Sequence, residues 1–242
     1  MSDAILAVES LSAWYGAARI LYDLSFEVGR GEVVALMGRN GAGKSTTLKA
    51  VMGLIAARQG TVRFNGGDVS HLKPFEIARR GLGYTPEDRR IFSDLTVMEN
   101  LDIGRQPPRR FSDGAPAPSW TAEKLFALFP NLADMPDRLG DRMSGGEQQM
   151  LTVARTLMGN PLLVLLDEPS EGVAPLIVEQ MANTIVELKK EGLSILLSEQ
   201  NIHFAQLVAD RVYVLEKGQI RWQGSMTQLD TNLDVQRAYL TV

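Results

Sequence analysis

The feature that most constrains this chain is the stretch Gly38-Arg39-Asn40-Gly41-Ala42-Gly43-Lys44-Ser45. Two glycines separated by four residues, then Lys and Ser, form the pattern of a loop that cradles phosphates. Glycines let the backbone curl so that successive N–H groups face one concavity. A helix starting there adds unpaired N–H groups and the positive end of its dipole. Lys44 brings a full charge to the β- and γ-phosphates, and Ser45 offers a hydroxyl to Mg2+. The flanks agree. Val33 to Met37 is an apolar run of buried-strand length, and Thr46 to Leu54 reads as a helix with Leu48, Val51 and Met52 on its apolar side. A plain glycine turn between strand and helix needs neither the Lys nor the Ser. Nucleotide phosphate held along Gly38, Arg39, Asn40, Gly41, Ala42, Gly43, Lys44, Ser45 and Thr46 is therefore the first expectation.

Composition narrows the classes around that loop. The 242 residues suit one large domain or a core with a small insert. A net charge of −4, with no long Lys/Arg run, leaves no electrostatic footprint for nucleic acid. The absence of cysteine excludes disulfides, cysteine-held metals and thiol catalysis. Met1-Ser2-Asp3-Ala4 has neither the basic start nor the apolar core of a signal peptide. Apolar runs such as Leu162 to Leu166 are far too short to span a bilayer, so any membrane link is expected through a partner.

Along the chain, Ile5–Val8 and Leu21–Val28 read as strands, the second alternating Leu24, Phe26 and Val28 with Ser25 and Glu27. Trp14-Tyr15-Gly16 lies between them. An aromatic beside glycine there either stacks on a base or covers the sheet edge, and the residues alone leave both open. Thr61–Phe64 and Leu82–Thr85 read as further strands, and Pro74–Arg80 as a short helix led by proline. Ser93 to Asn160 has a different texture. Helices are expected around Val97–Leu101 and Thr121–Leu128, with Gln106–Ser119 as an exposed loop whose Arg109-Arg110 pair is solvated. The core resumes with Leu162–Leu166. Helices over Leu176–Lys190 and Ile202–Ala209 then alternate with strands at Ser194–Leu197 and Val212–Leu215, and Gln219–Trp222 closes a hairpin. That alternation implies a parallel sheet with helices on both faces.

Two more stretches carry chemistry. Asp167-Glu168 ends an apolar strand, at the side of such sheets where ligands bind. Asp167 suits Mg2+, and Glu168 suits orienting and deprotonating a water for attack on the γ-phosphate. Met143-Ser144-Gly145-Gly146-Glu147-Gln148-Gln149 sets small residues before a helix that starts near Glu147, which makes a second anion-binding helix terminus. One nucleotide hardly needs two cradles from one chain. A nucleotide sandwiched between two chains does.

In order and spacing, the phosphate loop, the Met143–Gln149 signature and the Leu162–Glu168 acidic strand resemble the ATP-binding-cassette (ABC) family over nearly the whole chain. More narrowly, Tyr84-Thr85-Pro86-Glu87, Ser144–Leu151, Asp167–Pro175 and Ser198-Glu199-Gln200-Asn201 resemble the LivF-type ATPases of bacterial branched-chain amino acid importers, with urea and amide importers closely similar. The resemblance implies an α/β fold: a P-loop NTPase core of mostly parallel sheet flanked by helices, with a small antiparallel β-layer and an inserted α-helical subdomain. Residues 1–242 would form one such domain, with 1–92 and 161–242 as the core and β-layer and 93–160 as the helical subdomain.

The same resemblance implies ATP and Mg2+ as ligands and a role for each residue. Tyr15 would stack on adenine, Lys44 would bind phosphate and Glu168 would be the general base. Ser45, Asp167 and Glu87 would serve the metal. Ser144, Gly145, Gly146 and Glu147 would act in trans on ATP held by an identical or paralogous subunit. Integral-membrane permease chains would dock at the helical subdomain, with an extracytoplasmic solute-binding protein as an indirect partner and no nucleic acid. The chain would sit peripherally on the cytoplasmic face of the inner membrane.

Three positions depart from the general family pattern. Glu87 stands where Gln is usual, Gln200 where a histidine contacts the γ-phosphate, and Ala174 where Asp is common. His203 is about one helical turn from Gln200 and does not inherit that role. Two other readings compete with transport. A soluble ABC ATPase acting on nucleic acid or the ribosome usually carries two cassettes or a long coiled-coil insertion, which this chain lacks. A phosphoryl-transfer enzyme would need an acceptor site, and none is evident.

Overall fold

The computed structural model describes residues 4–240; Met1-Ser2-Asp3, read above for a leader, lie outside the described residues. Strands β1 (Ala4–Tyr15) and β2 (Ala18–Gly29) pair antiparallel around Gly16. Both are longer than their alternation predicts. The register slips between Val8 and Leu11, where Ser10 has φ +50°, and such a bulge breaks the period-two pattern that marks a strand. Next come β3 (Val33–Met37) and α1 (Lys44–Val51), after which β4 (Arg58–Phe64) and β5 (Gly67–Asp68) join the first pair in a sheet ordered β2-β1-β4-β5.

The second sheet is built from β3, β6 (Leu82–Thr85), β7 (Leu163–Asp167), β8 (Ser194–Glu199), β9 (Arg211–Glu216) and β10 (Gln219–Ser225). Its order is β10-β9-β3-β8-β7-β6, parallel except for the β9–β10 hairpin. Strands buried on both faces read as unbroken apolar runs. Here Val33, Ala35 and Met37 enter one core and Val34 and Leu36 the other, as do Val164 and Leu166 against Leu163 and Leu165. One core lies between the two sheets and the other under the helices. Truncating one such Leu to Ala would cost about 2–5 kcal/mol. This packing fixes the site, because four neighbouring strands run the same way. The connections carrying Lys44, Glu87, Glu168 and Gln200 leave the carboxyl ends of β3, β6, β7 and β8 at one edge.

The helices are α2 (Pro74–Arg79), α3 (Val97–Gly104), α4 (Ala122–Leu128), α5 (Pro130–Ala133), α6 (Gly145–Met158), α7 (Pro175–Lys190), α8 (Ile202–Val208), α9 (Met226–Thr231) and α10 (Leu233–Tyr239). Asn100 on α3 is fully buried. Its amide donates to the carbonyls of Phe92, Leu95 and Thr96 and its oxygen accepts from the Phe92 N–H, so it braces the approach to α3. The stretch expected as an exposed loop, Gln106–Ser119, is a largely exposed loop, with two residues that depart from that reading. Phe111 is buried under the front sheet, with the Arg30 guanidinium 3.5 Å above its ring. Arg109 is half-buried and donates to the Arg79 carbonyl at 2.5 Å, so it is not a solvated residue, whereas Arg110 is exposed. A lone aromatic among Pro and Ser has no periodicity to reveal it.

Candidate functional site

Helix α1 begins at Lys44, inside the loop, with Gly43 as its cap at φ +108° and no side-chain cap bond. The Ala42 N–H closes a turn onto the Arg39 carbonyl. Among the described residues, the N–H groups of Gly41, Gly43, Lys44, Ser45 and Thr46 find no acceptor. Such orphan donors at a helix start form an anion cradle. Lys44 bends back over it. Its Nζ donates to the Gly38 carbonyl at 2.8 Å and lies 3.0 Å from Glu168 Oε1, with the two side chains only 3% and 7% exposed. Beside the pair opens a cavity of about 460 Å3. The phosphate loop from Asn40 to Thr46 forms one wall, and Tyr15, Glu87, Glu168 and Glu171 complete it. Tyr15 is half exposed at its mouth.

Ser198 on β8 sets the acidic pair. Its hydroxyl donates to Asp167 Oδ1 at 2.7 Å and accepts from the Glu168 N–H at 3.0 Å. Glu168 itself has φ +48°. A non-glycine residue held there costs about 1–3 kcal/mol and persists only where its surroundings over-determine it. The other Asp167 oxygen accepts from the Tyr84 hydroxyl at 3.1 Å. Burial, and then the Asp167 charge, push that hydroxyl's pKa up, so it stays a donor. Glu199 is buried and accepts from the N–H groups of Ser170, Gln200 and Asn201. Burial raises its pKa, and its bonds tie the loop after β7 to the loop after β8.

Glu171 is held up to about pKa 7, first by a hydrogen bond with the Glu168 carboxyl, then by burial and by repulsion from Glu168 and Glu87. Two carboxyls at bonding distance share a proton.

The structure thus brings Tyr15, the phosphate loop, Glu87 and Glu168 to one cavity, with Asp167 behind them. Gln200 does not line that cavity. Arg39, Asn40, Gly41 and Ala42 line a neighbouring one with Tyr239. Ser144, Gly145, Gly146 and Glu147 lie elsewhere, at the start of α6, two residues earlier than expected. Ser144 Oγ accepts from the Glu147 N–H, and the Glu147 carboxylate accepts from the Ser144 N–H. Tyr84, Glu171, Ser198 and Glu199 stand inside the motifs quoted above, yet sequence alone assigned them no role. Only Glu171 carried a local hint, three residues past Glu168.

No group of three or more His, Asp or Glu side chains among the described residues forms a metal cage. Mg2+ does not need one, because it uses one or two carboxylates, water and substrate phosphate. The hard oxygen donors Ser45, Glu87 and Asp167 fit that requirement.

A parallel sheet that gathers a glycine phosphate loop and an acidic strand end at its carboxyl edge defines a P-loop NTPase fold. The family described as ABC transporter matches residues 21–171. The branched-chain amino acid transport ATP-binding protein BraG of Pseudomonas aeruginosa is 42% identical over 236 residues, covering 98% of this chain and 99% of that protein. The lipopolysaccharide export ATP-binding protein LptB of Haemophilus influenzae is 36% identical, covering 98% and 97%. Among solved structures, the ATP-binding cassette MJ1267 in its ADP conformation superposes with a TM-score of 0.78 at 28% identity, covering 96% of this chain and 95% of that one. The chain belongs to the ABC transporter family and is one of its ATP-hydrolysing subunits. Such subunits bind ATP, generally with Mg2+, and work as dimers with membrane permeases. No helix among the described residues is long and apolar enough to cross a membrane.

Proposed function

We propose that this chain hydrolyses ATP on the cytoplasmic face of a bacterial inner membrane and drives uptake of branched-chain amino acids through partner permease chains. The buried Lys44–Glu168 pair at the cavity of Tyr15, Ser45 and Glu87 carries the ATPase half of that reading. The relative at 42% identity supports the solute half. In this mechanism Tyr15 stacks on adenine and the orphan N–H groups from Gly41 to Thr46 take the phosphates. The phosphate charge outcompetes one carboxylate for Lys44, which turns from Glu168 to the nucleotide. Glu168, released, accepts a proton from a water. The water oxygen bonds to the γ-phosphorus as the bond to the bridging oxygen breaks and ADP leaves. Ser45, Asp167 and Glu87 would hold Mg2+, which when bound spreads the charge of the β- and γ-phosphates.

The start of α6, Ser144 to Glu147, serves the nucleotide of a second, identical or paralogous subunit, and Gln200, although it does not line the cavity, contacts the γ-phosphate of its own nucleotide when the site closes. Residues 93–160 act as the helical subdomain on a core of 1–92 and 161–242. The groove between them, about 650 Å3 and edged by the exposed Leu54, Phe92 and Ile103, receives a permease helix. An extracytoplasmic binding protein delivers the solute to the permease, and nucleic acid plays no part.

Export is the reading to exclude, because LptB relatives stand at 36% identity. A deletion strain is assayed for uptake of labelled leucine, isoleucine, valine, urea and short amides. Loss of branched-chain uptake, restored by the chain but not by Glu168→Gln, is the expected result. Unchanged uptake of all three amino acids would sink the solute half. Rapid turnover by Glu168→Gln would remove Glu168 from the general-base role.

A further inference from the structure

We infer that Arg89 is a positioning residue that ties the trans-acting turn at the start of α6 to the loop carrying Glu168, so that the two move as one unit. The inference rests on the in-trans role proposed above for Ser144–Gly146. Arg89 follows Glu87 by two residues in the connection after β6. Its φ of +46° is a left-handed conformation that a non-glycine residue rarely adopts. Glu87 lines the phosphate cavity, while the Arg89 side chain reaches two other elements. Nη2 donates to the Gly172 carbonyl at 3.0 Å and, at longer range, to that of Glu171 at 3.4 Å. Nη1 fills the space beside Gly145, where a Cβ would lie only 2.3 Å away. A side chain at 145 would displace this guanidinium from its place beside α6. One guanidinium touches the first residue of α6 and the loop just past Glu168, where the Glu171 N–H donates to the Glu168 carbonyl at 3.1 Å.

Electrostatics does not explain the placement. The N-terminus of α6 carries the positive end of the helix dipole, which repels a cation. Arg89 makes no ion pair among the described residues that would offset this. The planar guanidinium does explain it, because one arm donates to the loop carbonyls while the other packs beside Gly145 at the start of α6. A lysine ammonium reaches only one of them.

The test compares Arg89→Ala and Arg89→Lys with the natural chain, measuring kcat and KM for ATP and the dependence of specific activity on chain concentration. The phosphate loop is untouched, so KM should stay within about twofold while kcat falls about tenfold to a hundredfold in both variants. Partial unfolding would also lower the apparent kcat at constant KM, so each kcat is normalised to the folded fraction read by circular dichroism, and the fall must survive that normalisation. If Arg89→Ala melts before it can be assayed, Arg89→Lys, which keeps charge and bulk, decides. Specific activity of the natural chain should rise with concentration. A flat dependence would overturn the in-trans reading and the role of Arg89 with it. A rising dependence with kcat intact in Arg89→Ala would overturn Arg89 alone. Full activity in Arg89→Lys would show that one charge suffices and that nothing is tied.

Discussion

Lys44 and Glu168 each cover a charge that neither could bury alone. Removing one partner from a buried pair leaves the other uncompensated, at about 3–5 kcal/mol. Lys44→Ala should therefore lose about that much unfolding free energy in urea without nucleotide, besides losing ATP affinity. Adding Glu168→Gln should recover much of the loss; a double variant as unstable as Lys44→Ala would show that the pair is not the cause. Glu171 adds a pH dependence of unusual sign. Its ordinary pKa of 4.5 is raised to about 7 in the folded chain. The stability it contributes is complete below about pH 4.5 and is lost as the pH rises through about 7. Glu171→Gln keeps the hydrogen bond without the charge. It should melt above the natural chain at pH 8 and level with it near pH 4, and equal melting at both would argue against a shared proton.

At the scale of elements, the phosphate loop is held from behind by the turn of the β9–β10 hairpin. The Gly218 N–H donates to the Ala42 carbonyl at 2.8 Å, and the Gly218 carbonyl accepts from the Tyr22 N–H at 2.8 Å. Gly218 has φ +71°, and a Cβ there would lie 1.8 Å from the Ile20 carbonyl oxygen. Gly218→Ala should cost on the order of 1–3 kcal/mol from backbone strain, and more from the clash, while ATP affinity drops. A calorimetric melt and an ATP titration check this, and unchanged affinity would mean that the hairpin does not brace the loop. No local pattern announces such a brace, because its two parts lie far apart in the chain. The apolar strands and the amphipathic α7 were legible from periodicity. The bulged β1, the buried Phe111 and the bond from Arg109 to the Arg79 carbonyl were not, since each depends on a distant surface rather than on its neighbours in sequence.

For the whole molecule, Glu87 and Gln200 matter most in an assembly. On the proposed roles, a carboxylate at 87 and a neutral amide at 200, where histidine is usual, would slow turnover by this site alone. The complex assembled with a paralogous, histidine-bearing subunit should turn over ATP faster than the purified chain. Equal rates per site would dismiss the heterodimer. By itself, the sequence determined the phosphate loop, the acidic strand end and the helix start at Ser144–Gly146, because each is a local pattern set by adjacent residues. It also determined the family, through the order of those patterns. Only the tertiary structure decided that Lys44 rests on Glu168, that Ser198 aims both acids and that Arg89 bridges α6 to the Glu168 loop. These are contacts between segments remote in the chain, set by the parallel sheet order that brings four strand ends to one edge.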